Sequence, residues 1–238
     1  MRRFLAAVTG QALALFAQFI TAVRADWKGV EPVPRQRVYF ANHTSNADMP
    51  LIWTVLPPAI RKQTRPVAAA DYWLRNKVRA FVGPEVFNAV LIDRRPEARE
   101  AEVENPVDTM LRALDEGASL IIFPEGGRNR SEEPLMAFKS GLYHIARARP
   151  RIDLVPTWVD RVASIMPSGE VIPVPLGSTV TFGAAMHIRE DEPKEAFLAR
   201  AAAALLDCRP APPGEAPVQA PPPIAPTPSL ADSAERTS

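Results

Sequence analysis

Strands interleaved with helices predict an α/β layered domain for this chain. Three observations carry that expectation. Short apolar runs of strand length recur between segments with helical spacing. Several runs end in glycine, capping or turn residues. The length of 238 residues suits one domain with a sizeable core, and 47% apolar residues are too few for a polytopic membrane protein.

The elements follow in order. Residues 4–23 carry no charge and sit between Arg3 and Arg24. As a helix, such a stretch spans roughly 30 Å, about one bilayer core. It has two faces. Leu5, Val8, Ala12, Leu15, Phe16, Phe19 and Val23 recur at helical spacing, while Gly10, Gln11, Ala14, Gln18 and Thr21 gather opposite. A helix lying in an interface, or docked on protein, keeps such a small and polar stripe. Residues 1–24 therefore read as a membrane-anchoring helix. A buried core helix and a signal peptide ending near Ala25 are the competing readings.

Val38–Ala41, Pro66–Ala70 and Ala89–Ile92 read as short strands. Pro106–Glu116 has helical spacing, with Gly117 as its stop. Ser119–Phe123 is the clearest strand, and Leu135–Arg147 reads as a helix. Leu154–Val159 and Ser178–Phe182 are extended, and Lys194–Leu206 is an alanine-rich helix. Residues 25–208 thus form the folded domain. Beyond it the composition changes, with nine of the 26 prolines between Pro210 and Pro228. Residues 209–238 are expected to be a disordered tail, because they offer little apolar area to offset their ordering entropy.

Composition removes several function classes. A net charge of +1 gives no global field for nucleic acid. Cys208 is the only cysteine, so there is neither an internal disulfide nor a cysteine-rich metal site. Histidine chemistry has only His43, His144 and His187 to use. Charge is uneven locally. Between Arg61 and Arg99 nine Lys/Arg (61, 62, 65, 75, 77, 79, 94, 95, 99) face four acids (71, 85, 93, 97), a solvated face or a surface for anionic headgroups.

Two segments carry chemistry. The first is Ala41-Asn42-His43-Thr44-Ser45-Asn46-Ala47-Asp48 at the end of the first strand, with helix N-cap types before apolar Met49–Leu56. On one continuous helix His43 and Asp48 would be about 140° apart. With His43 in a turn and Asp48 in the first helical turn, the two can meet. A carboxylate on one imidazole nitrogen leaves the other to take a proton from a hydroxyl. The arrangement is the base and orienter of a serine triad without a protein nucleophile, so the substrate would supply the hydroxyl.

The second segment is Phe123-Pro124-Glu125-Gly126-Gly127-Arg128-Asn129-Arg130, directly after the clearest strand. Ligands of open α/β sheets bind outside the carboxyl ends of strands. Gly126 and Gly127 let backbone approach a ligand, Arg128 and Arg130 are planar donors for phosphate oxygens, and Glu125 is expected to orient an arginine.

Together, His-x4-Asp and Phe-Pro-Glu-Gly-x-Arg-x-Arg resemble the blocks of the PlsC-like glycerolipid acyltransferase family, which includes 1-acyl-sn-glycerol-3-phosphate and other lysophospholipid acyltransferases. Val90-Leu91-Ile92-Asp93-Arg94 looks like the family's second block and Leu154-Val155-Pro156 like its fourth, and Phe138-Lys139-Ser140-Gly141 resembles the usual sequel of the third. The chain departs from the family at Gly127, Asn129 and Asn88, where Thr, Ser and Gly are usual, which leaves acceptor preference open.

The resemblance implies a mixed, largely parallel sheet flanked by helices. It implies His43 and Asp48 as a general-base dyad, with Arg94, Arg128 and Arg130 holding an acceptor phosphate and Glu125 and Gly126 in the same substrate-binding block. Acyl-CoA or acyl carrier protein would be the thioester co-substrate, with no metal and no bound cofactor. The acceptor would be a lysophospholipid such as 1-acyl-glycerol-3-phosphate, giving phosphatidic acid, at the cytoplasmic face of the cell membrane. Rival readings are the same chemistry on a lyso-ornithine lipid or other alcohol, a non-catalytic lipid-binding protein, and a metal-dependent hydrolase using His43, Asp48 and Glu125 as ligands.

Overall fold

The computed structural model describes residues 8–10, 23–93, 105–160 and 178–210. Most of the expected anchor helix, Arg94 and the expected tail beyond 210 lie outside the described residues.

Strands β1 (Arg24–Trp27), β2 (Arg37–Ala41), β3 (Thr64–Ala69), β4 (Val90–Ile92), β5 (Ser119–Ile122), β6 (Asp153–Asp160) and β7 (Thr179–Phe182) form one sheet in the order β1-β7-β6-β2-β5-β3-β4. Neighbours run parallel except β6 and β7, so the sheet is mixed and largely parallel. Helices α1 (Asp48–Val55), α2 (Pro58–Gln63), α3 (Ala70–Trp73), α4 (Lys77–Phe81), α5 (Pro106–Asp115), α6 (Gly141–Ala148) and α7 (Lys194–Leu206) flank it, and a π-helical turn at Val82–Val86 continues α4.

The central strand β2 shows why its sequence is uniformly apolar. Val38 and Phe40 join a core with Met110, Leu114, Leu142 and Phe197 of α5, α6 and α7. Tyr39 and Ala41 join a second core with Leu51, Ile52 and Ile60 of α1 and α2. A strand covered on both faces has no side to leave polar. Its carboxyl end, beside those of β5 and β6, is where the chain opens into loops.

The structure corrects several boundaries. Arg24–Trp27, expected to straddle the anchor and the domain, is an edge strand paired with β7. A signal cut after Ala25 would remove half of it. Ala70 begins α3 rather than ending β3. Leu135–Ser140, expected to be helical, is irregular, and the helix starts at Gly141. Its backbone donors are used elsewhere: Met136 N–H donates to Glu125 and Lys139 N–H to the Pro124 carbonyl. Helices α2 and α4 lie outside the expected elements, although Pro58 in the first turn and the Asn76 side chain accepting from Arg79 N–H are ordinary start signals.

Three described residues of the N-terminal segment agree with the two-faced pattern. They are helical, Val8 is exposed, and Gly10 is buried with Val86 and Trp53 against its Cα hydrogens. The small face docks on protein there. Asn88 has φ +50°, which accounts for one departure from the family pattern, because asparagine is among the few residues that tolerate the left-handed region where glycine is usual.

Candidate active site

The segment after β2 is held before it presents any chemistry. Asn42 is buried, and its side chain pairs with both backbone groups of Val159 on β6. His43 follows in the turn, and α1 begins at Asp48. The helix has Ala47 at its N-cap, without a side-chain cap. The Asp48 carboxylate instead turns back over the turn. Its Oδ2 accepts N–H donors from Thr44 and Ser45 at 2.7 Å each and lies 3.0 Å from His43 Nδ1. An oxygen that accepts this many donors is the unprotonated one, so Nδ1 carries the hydrogen and Nε2 is left as a base. The expected meeting of His43 and Asp48 is therefore present in the geometry.

The loop after β5 grips the same histidine. His43 N–H donates to Glu125 Oε1 at 2.8 Å, the Asn129 N–H donates to the His43 carbonyl at 2.6 Å, and the imidazole stacks on Phe123 with centroids 4.2 Å apart. Glu125 is 2% exposed, and its other oxygen accepts Met136 N–H at 2.8 Å. The expectation that Glu125 orients an arginine is thus corrected: both carboxylate oxygens serve backbone donors from two loops. Burial pushes the Glu125 carboxyl up from its ordinary range, against the pull of the Met136 and His43 donors. Gly126 has φ +71°, and a Cβ there would lie 3.1 Å from the Lys139 side chain, so the turn needs glycine.

Glu125→Gln replaces one acceptor by an amide that points N–H at N–H. One bond is lost and a buried donor is stranded, at a cost of about 1–3 kcal/mol. A lower melting temperature together with reduced turnover is expected. An unchanged melt and unchanged turnover would show that the clamp does not hold the loops.

His43 lines a cavity of about 560 Å³ whose other lining residues are of two unlike kinds. Met49, Val67, Trp73, Ile92, Met110 and Leu142 are among the apolar ones. Arg128, Arg130 and Lys139 bring cations to the same lining, with Gly126, Gly127 and Asn46. Both expected arginines thus reach one cavity, and Lys139, read only as part of a family-like sequel, joins them. The cavity lies within the usual size range of ligand sites. Arg94 lies outside the described residues, two positions beyond cavity-lining Ile92. Of the departures, Asn129 is buried and ties its own loop through Ser131 and Glu133. A Cβ added at Gly127 meets nothing within 4 Å, so the room that a larger side chain would take is open.

The other histidines lie elsewhere. His187 pairs with Asp153 at the start of β6, and His144 is exposed on α6. Among the described residues no group of three His, Cys, Asp or Glu side chains is placed to hold a metal ion. The metal-hydrolase reading would need Asp48 and Glu125 as ligands, and both turn oxygens to backbone N–H groups.

The family model for Acyltransferase matches residues 24–160 of the chain. The chain belongs to the acyltransferase family. Its fold is similar to that of the 1-acyl-sn-glycerophosphate (LPA) acyltransferase PlsC from Thermotoga maritima. The TM-score is 0.62 at 17% identity, covering 87% of this chain and 79% of that one. No curated protein matches the chain. In this acyltransferase the matched region runs from β1 to the end of β6 and contains both loops that meet at His43.

Proposed function

We propose that this acyltransferase moves a fatty acyl group from a thioester, acyl-CoA or acyl carrier protein, to the hydroxyl of a lysophospholipid. The simplest acceptor is 1-acyl-glycerol-3-phosphate, which gives phosphatidic acid. One observation supports the reading above all: His43, backed by Asp48, lines one cavity together with apolar side chains and the cations Arg128, Arg130 and Lys139. An acyl chain suits the apolar side chains and a phosphate the cations. His43 Nε2 takes the acceptor's hydroxyl proton while Nδ1–H stays on Asp48. The oxygen bonds to the thioester carbonyl carbon, the intermediate collapses, the C–S bond breaks, and the thiolate takes the proton from the imidazolium. Ester and free thiol are the products, and the step calls for no bound cofactor. Free-thiol release from acyl-CoA, measured with and without acceptor, tests it. Release that no lysolipid accelerates would overturn it.

Arg128 belongs to this reading. It is exposed at the cavity rim, two residues from Arg130. Charge-assisted hydrogen bonds contribute roughly 1.5–3 kcal/mol each. Arg128→Ala is therefore expected to raise the KM for a phosphate-bearing acceptor about 10- to 100-fold and to change the donor's KM much less. If only the donor's KM moved, the arginine would serve the CoA phosphates instead. The open space at Gly127 favours a second reading, the same chemistry on a bulkier acceptor such as a lyso-ornithine lipid. Faster thiol release with that acceptor than with 1-acyl-glycerol-3-phosphate would decide for it.

The reading also puts the enzyme on a membrane surface, held by the N-terminal segment. Val8 outward and Gly10 inward support it. Among the described residues no helix is long and apolar enough to cross a membrane. Deleting residues 1–22, which stops short of β1, is expected to lower affinity for lipid vesicles about tenfold or more. Unchanged affinity would overturn the anchor.

A further inference from the structure

The turn between α3 and α4 presents an unusual surface. Leu74 is 56% exposed and Val78 72%, the two most exposed large apolar side chains among the described residues. Arg75, Asn76 and Lys77 between them are exposed as well. Arg79 follows, with its guanidinium 4.4 Å over the Tyr72 ring. Asp71 is the one acid between Ala70 and Gly83. Glu85 follows, exposed, in the π-helical turn. Apolar tips flanked along the chain by Arg75, Lys77 and Arg79, cations that outnumber these two acids, complement a lipid surface with anionic headgroups.

The inner side of the same element is fixed. Tyr72 and Trp73 line the cavity. Trp73 meets Phe87 at 5.9 Å edge-on, and Gly83 packs so closely that a Cβ there would come within 2.7 Å of the Trp73 ring. The tips are therefore held out by a braced base. The π-helical turn that continues α4 also carries Val86, against which Gly10 of the N-terminal segment packs. Val8, two positions before Gly10, is exposed.

We propose that the α3–α4 turn is a membrane-docking wedge separate from the N-terminal segment. Leu74 and Val78 enter the boundary between headgroups and acyl chains, Arg75, Lys77 and Arg79 pair with anionic headgroup phosphates, and the cavity rim at Tyr72 and Trp73 meets the leaflet. The orientation of the cavity rests on the acyltransfer reading. The docking itself does not, and it is measured without substrate.

Cys208 permits a direct test. It is the only cysteine, is 4% exposed, and has a thiol pushed up to about 11 by burial, so it resists labelling. Val78→Cys in the full chain takes an environment-sensitive NBD label, and Val33→Cys, at the opposite end of β2 from His43, takes the control label. With vesicles of phosphatidylcholine and phosphatidylglycerol, emission at 78 is expected to shift to the blue and to be quenched by shallow spin-labelled lipid, while emission at 33 stays unchanged. Arg75→Glu with Lys77→Glu is expected to lower affinity for those vesicles about 30-fold and to leave turnover of a water-soluble short-chain substrate pair unchanged. A label at 78 that stays in water while the chain is vesicle-bound overturns the proposal, as does failure of the chain to bind vesicles. A blue shift that grows with protein concentration in the absence of vesicles would assign the surface to a second copy of the chain. Equal affinity of the charge-reversed and native chains would remove the cations from it. Loss of acyl transfer in an otherwise vesicle-bound, blue-shifted protein would count against the acyltransfer reading alone.

Discussion

His43→Ala is expected to lose about 10²–10⁴ of the acyl-transfer rate and to keep its fold. The imidazole does two separable things. It lines the cavity, where the proposed reaction makes its Nε2 the base, and its ring stacks on Phe123. The bonds that fix the loops are main-chain ones, from His43 N–H to Glu125 and from Asn129 N–H to the His43 carbonyl. Alanine retains both. The ring itself is partly exposed, so its removal opens no sealed void. Turnover by thiol release, read beside circular dichroism, separates chemistry from folding. A variant with native dichroism and near-native turnover would remove His43 from the reaction.

Asp48→Asn should lose rate on a similar scale, about 10²–10⁴-fold, for a different reason. The three donors on Oδ2 are Thr44 N–H, Ser45 N–H and His43 Nδ1. An asparagine oxygen can occupy that position, so the loop and the tautomer can survive. The negative charge facing the imidazolium is lost, and that charge matters most as the proton moves. The loss is therefore expected in kcat, with a melting temperature close to the native one. Asp48→Ala is a poorer test, because it strands three donors where Asp48 is fully buried. If Asp48→Asn were harmless while His43→Ala was inactive, the histidine would act without its carboxylate.

Much of the fold was legible along the chain. The runs at Val38–Ala41 and Ser119–Phe123 became the paired strands β2 and β5, and Lys194–Leu206 became α7 with the expected bounds. The two strands are buried on both faces and the helix is rich in alanine, a strong helix former, so local preference and tertiary demand agree. Segments near the cavity were harder to read. Leu135–Ser140 has helical spacing, but its N–H groups answer Glu125 and Pro124, acceptors far along the chain. Edge strand β1 mixes charge with apolar residues, and its pairing with β7 cannot be seen locally.

The sequence by itself determined that His43 and Asp48 could meet, since a turn followed by a helix start leaves five positions no other simple route to contact. It also determined that Arg128 and Arg130 follow the end of a strand, and that strands alternate with helices in an α/β fold. Only the tertiary structure decided what Glu125 does. Its partners, His43 N–H and Met136 N–H, lie 82 positions before it and 11 after it. Spacing along a chain reports neighbours within a few turns, whereas a buried carboxylate takes whichever donors the packed loops leave without a partner. The cavity has the same origin. Its walls come from β3, β4, α3, α5 and α6 as well as from the two loops, and only the sheet order brings them together.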